Sequence, residues 1–282
     1  MSFFVSHNVW DDERKGKTTR ISRLNLSLDV ARSVLSGETI VKETEWEVIY
    51  ETQPFLPFDN APLSDFYHGH SGGRMIIDAA GNLIVGFGDQ QENYDSSIEP
   101  YRPQDETSSF GKFLRINLES LEVEVLTKGM RNPQGLMMDS DGNIWSTEHG
   151  PMGGDEINLI RPGLNYGWPY ETFGTEYGKY SWPLSENQGR HDNYERPVFA
   201  WVPSIGISNL IQITEVPKEW DGDFLVGSLR ARSLFRIRLD ENKVVFVEPI
   251  RIEERIRDLV QTPNGTILVW ADSGNLVELR AR

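Results

Sequence analysis

The sequence predicts an all-β protein, a β-propeller of repeated antiparallel sheets. Three observations carry that expectation: strand-like apolar runs fill most of the chain, helical spacing is nearly absent, and one hairpin signature recurs at a regular interval. "RMIIDAAGNLIVGFGD" (74–89) reads as two strands joined by an Ala-Ala-Gly-Asn turn, and "GLMMDSDGNIWSTEHG" (135–150) repeats the plan. In both, an apolar run, an Asp, a small turn and a second apolar run lead to an acidic end. "DLVQTPNGTILVWADSG" (258–274) is a third copy. The turn glycines Gly81, Gly142 and Gly265 stand 61 and 123 residues apart, one period and about two. A sandwich seldom repeats one hairpin at a fixed period, whereas stacked four-stranded sheets do so by construction.

Taken in order, "FFVSHNVW", "TTRISRLNLSL" and "EWEVIYETQ" supply a first, partial sheet, and roughly four full ones follow residue 70. The best helical candidate is "LSLDVARSVLSGE" (26–38). No linker divides the chain, so residues 1–282 read as one propeller domain. The longest irregular stretches, 52–73, 90–109 and 171–195, are expected to rise from one face and line the mouth of a central channel.

Composition narrows the function. Lys plus Arg number 28 against 43 Asp plus Glu, for a net charge of −15, which repels nucleic acid and suits neutral substrates or cations. The absence of cysteine excludes disulfides and thiolate chemistry. No apolar run of about 20 residues could span a membrane. The opening "MSFFVSHNVWDDERKGK" lacks the plan of a signal peptide and resembles the middle of a strand.

Three stretches could carry chemistry. In "YHGHSGGR" (67–74), His68 and His70 precede a strand that faces the channel, where an imidazole serves as a general base or as a structural loop residue. "GMRNPQGL" (129–136) sets Arg131 and Asn132 at the equivalent place in the next sheet. Arg230, Arg255 and Arg257 follow in later ones; read alone, each also fits a solvated surface. Converging on one channel, such arginines would need an anionic ligand among them. The stretch 147–169, "TEHGPMGGDEINLIRPGLNYGWP", concentrates five glycines and three prolines around Asp155-Glu156. Glycine and proline leave carbonyls outside the ladder, and carbonyls beside carboxylates suit a hard cation such as Ca2+; a tight turn with a solvated acidic pair is the plainer alternative.

Together, in this order, "HSGGRM", "GMRNPQGL", "EHGPMGGDEINLI" with "GLNYGWP", and "RIRDLVQTPNG" resemble the soluble aldose sugar dehydrogenases that use pyrroloquinoline quinone (PQQ) and calcium. The resemblance runs from residue 65 onward and implies a six-bladed quinoprotein propeller, of which this chain lacks about the first blade and holds roughly five. It implies oxidation of an aldose at C1 to its lactone, an external electron acceptor, and a periplasmic or secreted location. His70 resembles the base that takes the sugar hydroxyl proton. Arg131 and Asn132 resemble residues gripping PQQ, Arg230 stands where the family has a PQQ-binding lysine, and Arg255 and Arg257 resemble its second arginine pair, with Arg257 counted beside His70 as catalytic. Gly150 and Pro151 match carbonyl ligands of an active-site Ca2+, with Asp155 close by, and Glu156 and Tyr166 match a second, structural calcium site. Gly206-Ile207-Ser208 lacks the aromatic ring found near the sugar in the family. Two other functions fit the same scaffold: a non-redox binding propeller that has lost the cofactor, and a metal-dependent lactone hydrolase.

Overall fold

The computed structural model describes residues 1–42, 45–57, 69–90 and 99–280. Five antiparallel sheets follow one another along the described residues. The first holds β1 (Ser2–Asp11), β2 (Gly16–Asn25) and β3 (Glu47–Glu51), with the short β4 (Leu56–Pro57) also paired to β2. The second is β5 (Gly72–Ile77), β6 (Leu83–Phe87), β7 (Lys112–Ile116) and β8 (Val123–Lys128). The third is β9 (Pro133–Met138), β10 (Ile144–Glu148), β11 (Asp155–Ile160) and β12 (Phe199–Trp201). The fourth is β13 (Ile207–Gln212), β14 (Phe224–Ser228), β15 (Ser233–Asp240) and β16 (Lys243–Arg251). The fifth is β17 (Ile256–Gln261), β18 (Ile267–Ala271) and β19 (Leu276–Leu279).

Each sheet pairs its strands in chain order, and the first strands meet: β5 lies against β9, β9 against β13 and β13 against β17. This radial plan is that of a β-propeller. The expected helix forms as α1 (Leu28–Leu35), where Ser27 caps the start by accepting from the Val30 N–H. Among the described residues, no helix is long and apolar enough to cross a membrane.

Packing explains why several strands are apolar throughout. In β6, Leu83, Val85 and Phe87 join a core with Ile21 and Ile49 of the first sheet, while Ile84 joins Leu136 and Ile160 of the third. Successive side chains point to opposite faces, so a strand sandwiched between two sheets has no polar side. Likewise, Phe224 and Val226 of β14 pack on Trp145, and Leu225 packs toward Leu259 and Val269. Trp145 meets Phe224 edge-on, with centroids 4.9 Å apart. Burying each such side chain contributes roughly 1.5–3 kcal/mol.

The repeated hairpin is one repeated turn. Gly81, Gly142 and Gly265 have φ of 84°, 84° and 82°, a left-handed conformation in which a Cβ would be strained. Asp78 and Asp139 each accept backbone N–H groups across the turn, from Ala80 and Asn82 and from Asp141 and Asn143. Burial pushes both carboxyls up, but these donors outweigh it and hold them below the usual range. In the third copy Thr262 stands where the other two have Asp, with the same backbone pairing to Gly265 and Thr266.

Four first strands are also linked by side chains. Arg74 on β5 donates to Asp258 on β17 (3.0 Å) and to the Gln134 carbonyl on β9 (3.3 Å). Asn209 on β13 donates to Asp258 at 2.6 Å. Beside this clasp a groove of about 840 Å3 opens, lined by Phe4, Gly73, Arg74, Arg257 and Trp270 among others.

Candidate active site

The loops that precede the first strands and follow the second strands meet at one end of the sheets. Arg131 and Asn132 lie just ahead of β9, buried, with 8% and 9% of their surfaces exposed. Glu148, the last residue of β10, accepts both of their backbone N–H groups on one carboxylate oxygen. The Arg131 guanidinium donates to the His149 and Gly150 carbonyls, each at 2.9 Å, and lies 5.2 Å from the Trp168 ring centre. Its Nε is buried with no hydrogen-bond partner among the described residues. A buried donor left so is a site prepared for an acceptor, and on a guanidinium the fitting acceptor is an anion.

His70 lies two residues ahead of β5 in the neighbouring sheet, with φ of 55° and its ring mostly covered. Nδ1 stands 2.8 Å from Oδ1 of Asp89, a fully buried carboxylate. An acceptor at that place assigns the ring proton to Nδ1 and leaves Nε2 with its lone pair. The second oxygen of Asp89 accepts from Trp168 Nε1 at 2.9 Å, and the Asp89 N–H donates to the Arg131 carbonyl at 2.8 Å. Gly88 makes this junction possible, because a Cβ there would stand 2.0 Å from the His70 carbonyl oxygen and 3.1 Å from that of Arg131. His68, the other candidate base, lies outside the described residues.

Asp155 has no exposed surface. One oxygen accepts from Ser204 (2.9 Å) and the Gly150 N–H (3.2 Å), the other from the Gly206 (2.7 Å) and Ile207 (3.0 Å) N–H groups. Burial raises its carboxyl, but the His149 imidazole and these donors prevail and hold it below the ordinary range. Asp155 therefore organises the Gly150-Pro151 turn and contributes negative charge there. At Gly150 a Cβ would lie 2.1 Å from the Gly153 carbonyl oxygen, so the turn closes only on glycine.

Glu148 and Glu156 are cross-strand partners on β10 and β11. Burial pushes both carboxyls up; Glu148's charge raises Glu156 further, while backbone donors and Arg131 pull Glu148 partway back. A cavity of about 10 Å3, lined by Glu148, Glu156, Gly150, Tyr166 and Glu171, adjoins them. That is room for one water-sized particle. Asn158, whose amide donates to Glu156, has its own Oδ1 buried without a partner among the described residues. Two repelling carboxylates around an ion-sized space fit a hard divalent cation, with the Arg131 guanidinium also on the lining. Tyr166 contributes no open hydroxyl, since its Oη donates to the Leu159 carbonyl at 2.5 Å and accepts from the Arg161 N–H at 3.0 Å. Among the described residues no cluster of three or more His, Asp or Glu is arranged as a ready metal cage. Saturating Ca2+ is expected to raise the melting temperature by a few degrees or more through binding to the native state alone. Calorimetry with chelator reversal checks this, and Glu156→Ala should abolish the shift.

The remaining arginines stand apart from this cluster. Arg255 and Arg257 both grip Asp272, the former at 2.8 Å, and their side chains are 45% and 49% exposed, so an internal acid balances their charge. Arg230 is exposed just after β14, its N–H donating to the Ile205 carbonyl at 2.9 Å. Three acids share one structural position: Asp89, Glu148 and Asp272 stand at or just past the end of the second strand of the three repeated hairpins. Each holds residues that lead into, or lie on, the first strand of its own sheet. Asp89, Glu148 and Trp168 were not singled out from the sequence, although the acidic end of the hairpin repeat marked the first two.

A propeller carrying a carboxylate-held histidine and a buried arginine at one end is an enzyme-like scaffold for an anionic partner. Residues 2–278 match the glucose/sorbosone dehydrogenase family model, and the chain belongs to that family. It is 34% identical over 265 residues to an uncharacterized protein of Synechocystis sp., covering 87% of this chain and 61% of that relative. It is 25% identical over 288 residues to quinoprotein glucose dehydrogenase B of Acinetobacter calcoaceticus, covering 74% of this chain and 60% of that protein. The chain thus spans 61% and 60% of the lengths of these two relatives. A solved glucose dehydrogenase superposes with a TM-score of 0.82 at 26% identity, over all of this chain and 79% of that one.

Proposed function

We propose that this chain carries the catalytic end of a PQQ- and Ca2+-dependent aldose dehydrogenase that oxidises a pyranose at C1 to its lactone. The observation that supports it most is the junction of His70, Asp89, Trp168 and Arg131, which sets a basic nitrogen beside a buried cation with an unused donor. When bound, such a quinone supplies the two-electron acceptor for the hydride leaving C1, and Ca2+ supplies Lewis acidity that polarises it.

The chain's own residues do the rest. His70 Nε2 accepts the proton from the C1 hydroxyl as the carbonyl of the lactone forms, and Asp89 balances the resulting imidazolium. Arg131 holds an anionic carboxylate of the cofactor with charge-assisted bonds, and Asn132 offers an amide beside it. Arg230, Arg255 and Arg257 add positive charge from the other sheets, with Arg257 assigned beside His70 as catalytic. The Gly150 and Pro151 carbonyls, in the field of Asp155, suit the polarising cation, and the Glu148–Glu156 cavity with Tyr166 suits a structural one. The proposed setting is periplasmic or secreted, with a small aldose as substrate and an external electron acceptor.

PQQ titration followed by fluorescence quenching tests the reading. Each charge-assisted bond contributes roughly 1.5–3 kcal/mol, so Arg131→Ala is expected to weaken PQQ binding by about tenfold or more. Absence of saturable binding to the unaltered protein would assign the scaffold to a non-redox binding role.

A further inference from the structure

We propose that Trp168 is the positioning residue that joins the two halves of the site: its indole N–H holds the Asp89 carboxylate that orients His70, while its ring face carries the Arg131 guanidinium. The kinetic part of this inference rests on the dehydrogenase reading, whereas the tautomer part does not.

The indole is immobilised on every side. Its residue is 4% exposed, its backbone N–H donates to the Gly129 carbonyl at 3.0 Å, and its own carbonyl accepts from Gln104 at 2.7 Å. The ring lies 4.7 Å from that of Trp182, which is itself tied to the Pro169 carbonyl at 2.6 Å. From this fixed platform Nε1 reaches Asp89 Oδ2 at 2.9 Å, and Asp89 Oδ1 meets His70 Nδ1 at 2.8 Å. A carboxylate held at one oxygen only can rotate about its terminal torsion, which is broad and roughly two-fold. A donor on the second oxygen removes that freedom and aims the first at the imidazole. The same ring, 5.2 Å from the Arg131 guanidinium carbon, gives that cation a preferred place over an aromatic face.

Indole nitrogen is a donor only, and this makes the role testable. In Asp89→Asn, Trp168 must face the amide oxygen, so the amide NH2 turns toward His70. The imidazole then has to accept at Nδ1 and carry its proton on Nε2, the tautomer that cannot serve as base. Nitrogen NMR of 15N-histidine-labelled protein, free of cofactor at mildly alkaline pH, reads the tautomer directly. The unaltered protein is expected to show the Nδ1–H form, and Asp89→Asn the Nε2–H form. Adding Trp168→Phe to Asp89→Asn removes the indole donor and should raise the Nδ1–H population. Trp168→Phe alone should keep the Nδ1–H form, because either Asp89 oxygen still accepts from it, but lower kcat by about 10- to 100-fold, as for other outer-shell partners of histidine, with KM and PQQ affinity within about twofold. Trp168→Leu should weaken PQQ binding as well. A pure Nδ1–H signal in Asp89→Asn with Trp168 intact overturns the proposal, and that variant decides the matter even if Trp168→Phe does not fold. If the tautomers behave as stated but no aldose is oxidised, the dehydrogenase reading fails and the positioning role stands.

Discussion

Replacing His70 with alanine is expected to lower kcat for aldose oxidation by about 10²–10⁴-fold, the usual cost of a lost general base, while PQQ affinity stays near that of the unaltered protein. The argument is geometric. Oxidation at C1 requires a base for the hydroxyl proton, and His70 offers Nε2 because Asp89 takes up Nδ1. His149 lies near the site but is directed otherwise: its Nδ1 is 3.8 Å from Asp155, next to the turn proposed for the cation. His7 is hydrogen-bonded to Ser22 on the first sheet. Steady-state kinetics of His70→Ala, His68→Ala and His149→Ala, each loaded with PQQ, separate the candidates. Retained activity in His70→Ala with loss in His68→Ala would move the base by two residues. Retained activity in all three would remove histidine from the proton transfer.

Acid is expected to destabilise the fold through His191, by about 3 kcal/mol in total. This side chain is 3% exposed and stacked on Phe173 at 4.8 Å, and its Nδ1 has no partner among the described residues. Burial, helped by the Arg196 charge, pushes its pKa down from 6.5 to about 4. Because the folded value lies below the unfolded one, the unfolded chain binds the extra proton throughout that interval. The His191 contribution is therefore full above pH 6.5 and is lost as the pH drops toward 4. Denaturant unfolding between pH 7.5 and 4.5 measures the slope. His191→Phe, which keeps an aromatic ring against Phe173, should lose less stability than the unaltered protein as pH falls. Parallel curves for the two proteins would show that His191 titrates alike in the folded and the unfolded chain.

The strands were legible because their pattern is local. The hairpins around Gly81, Gly142 and Gly265 announce themselves through spacing, and all three form with matching φ. The stretch 147–169 announced its turn in the same way, since glycines and prolines in that density demand a backbone that leaves the ladder. Arg131 and Gly150 meet, with the guanidinium donating to the very carbonyl expected to face a cation. What periodicity could not show is the pairing of residues far apart in sequence: Asp89 with Trp168, or Arg74 with Asp258. Such contacts follow from the radial stacking of sheets and leave no mark in either partner's neighbourhood. The clamp of Asp272 on Arg255 and Arg257 was hidden for a related reason, because counting charges says nothing about which acid neutralises which base.

The three acids at the strand ends divide the site into a stiff jaw and a compliant one. Asp89 and Glu148 are both fully enclosed and interlocked through Arg131, so moving either disturbs the other. Asp272 answers only to two half-exposed arginines whose long stems are free to swing. Under the proposed function an anionic guest would meet a preset surface at Arg131, whereas at Arg255 and Arg257 it would have to displace a carboxylate already in place, exchanging one acid for another.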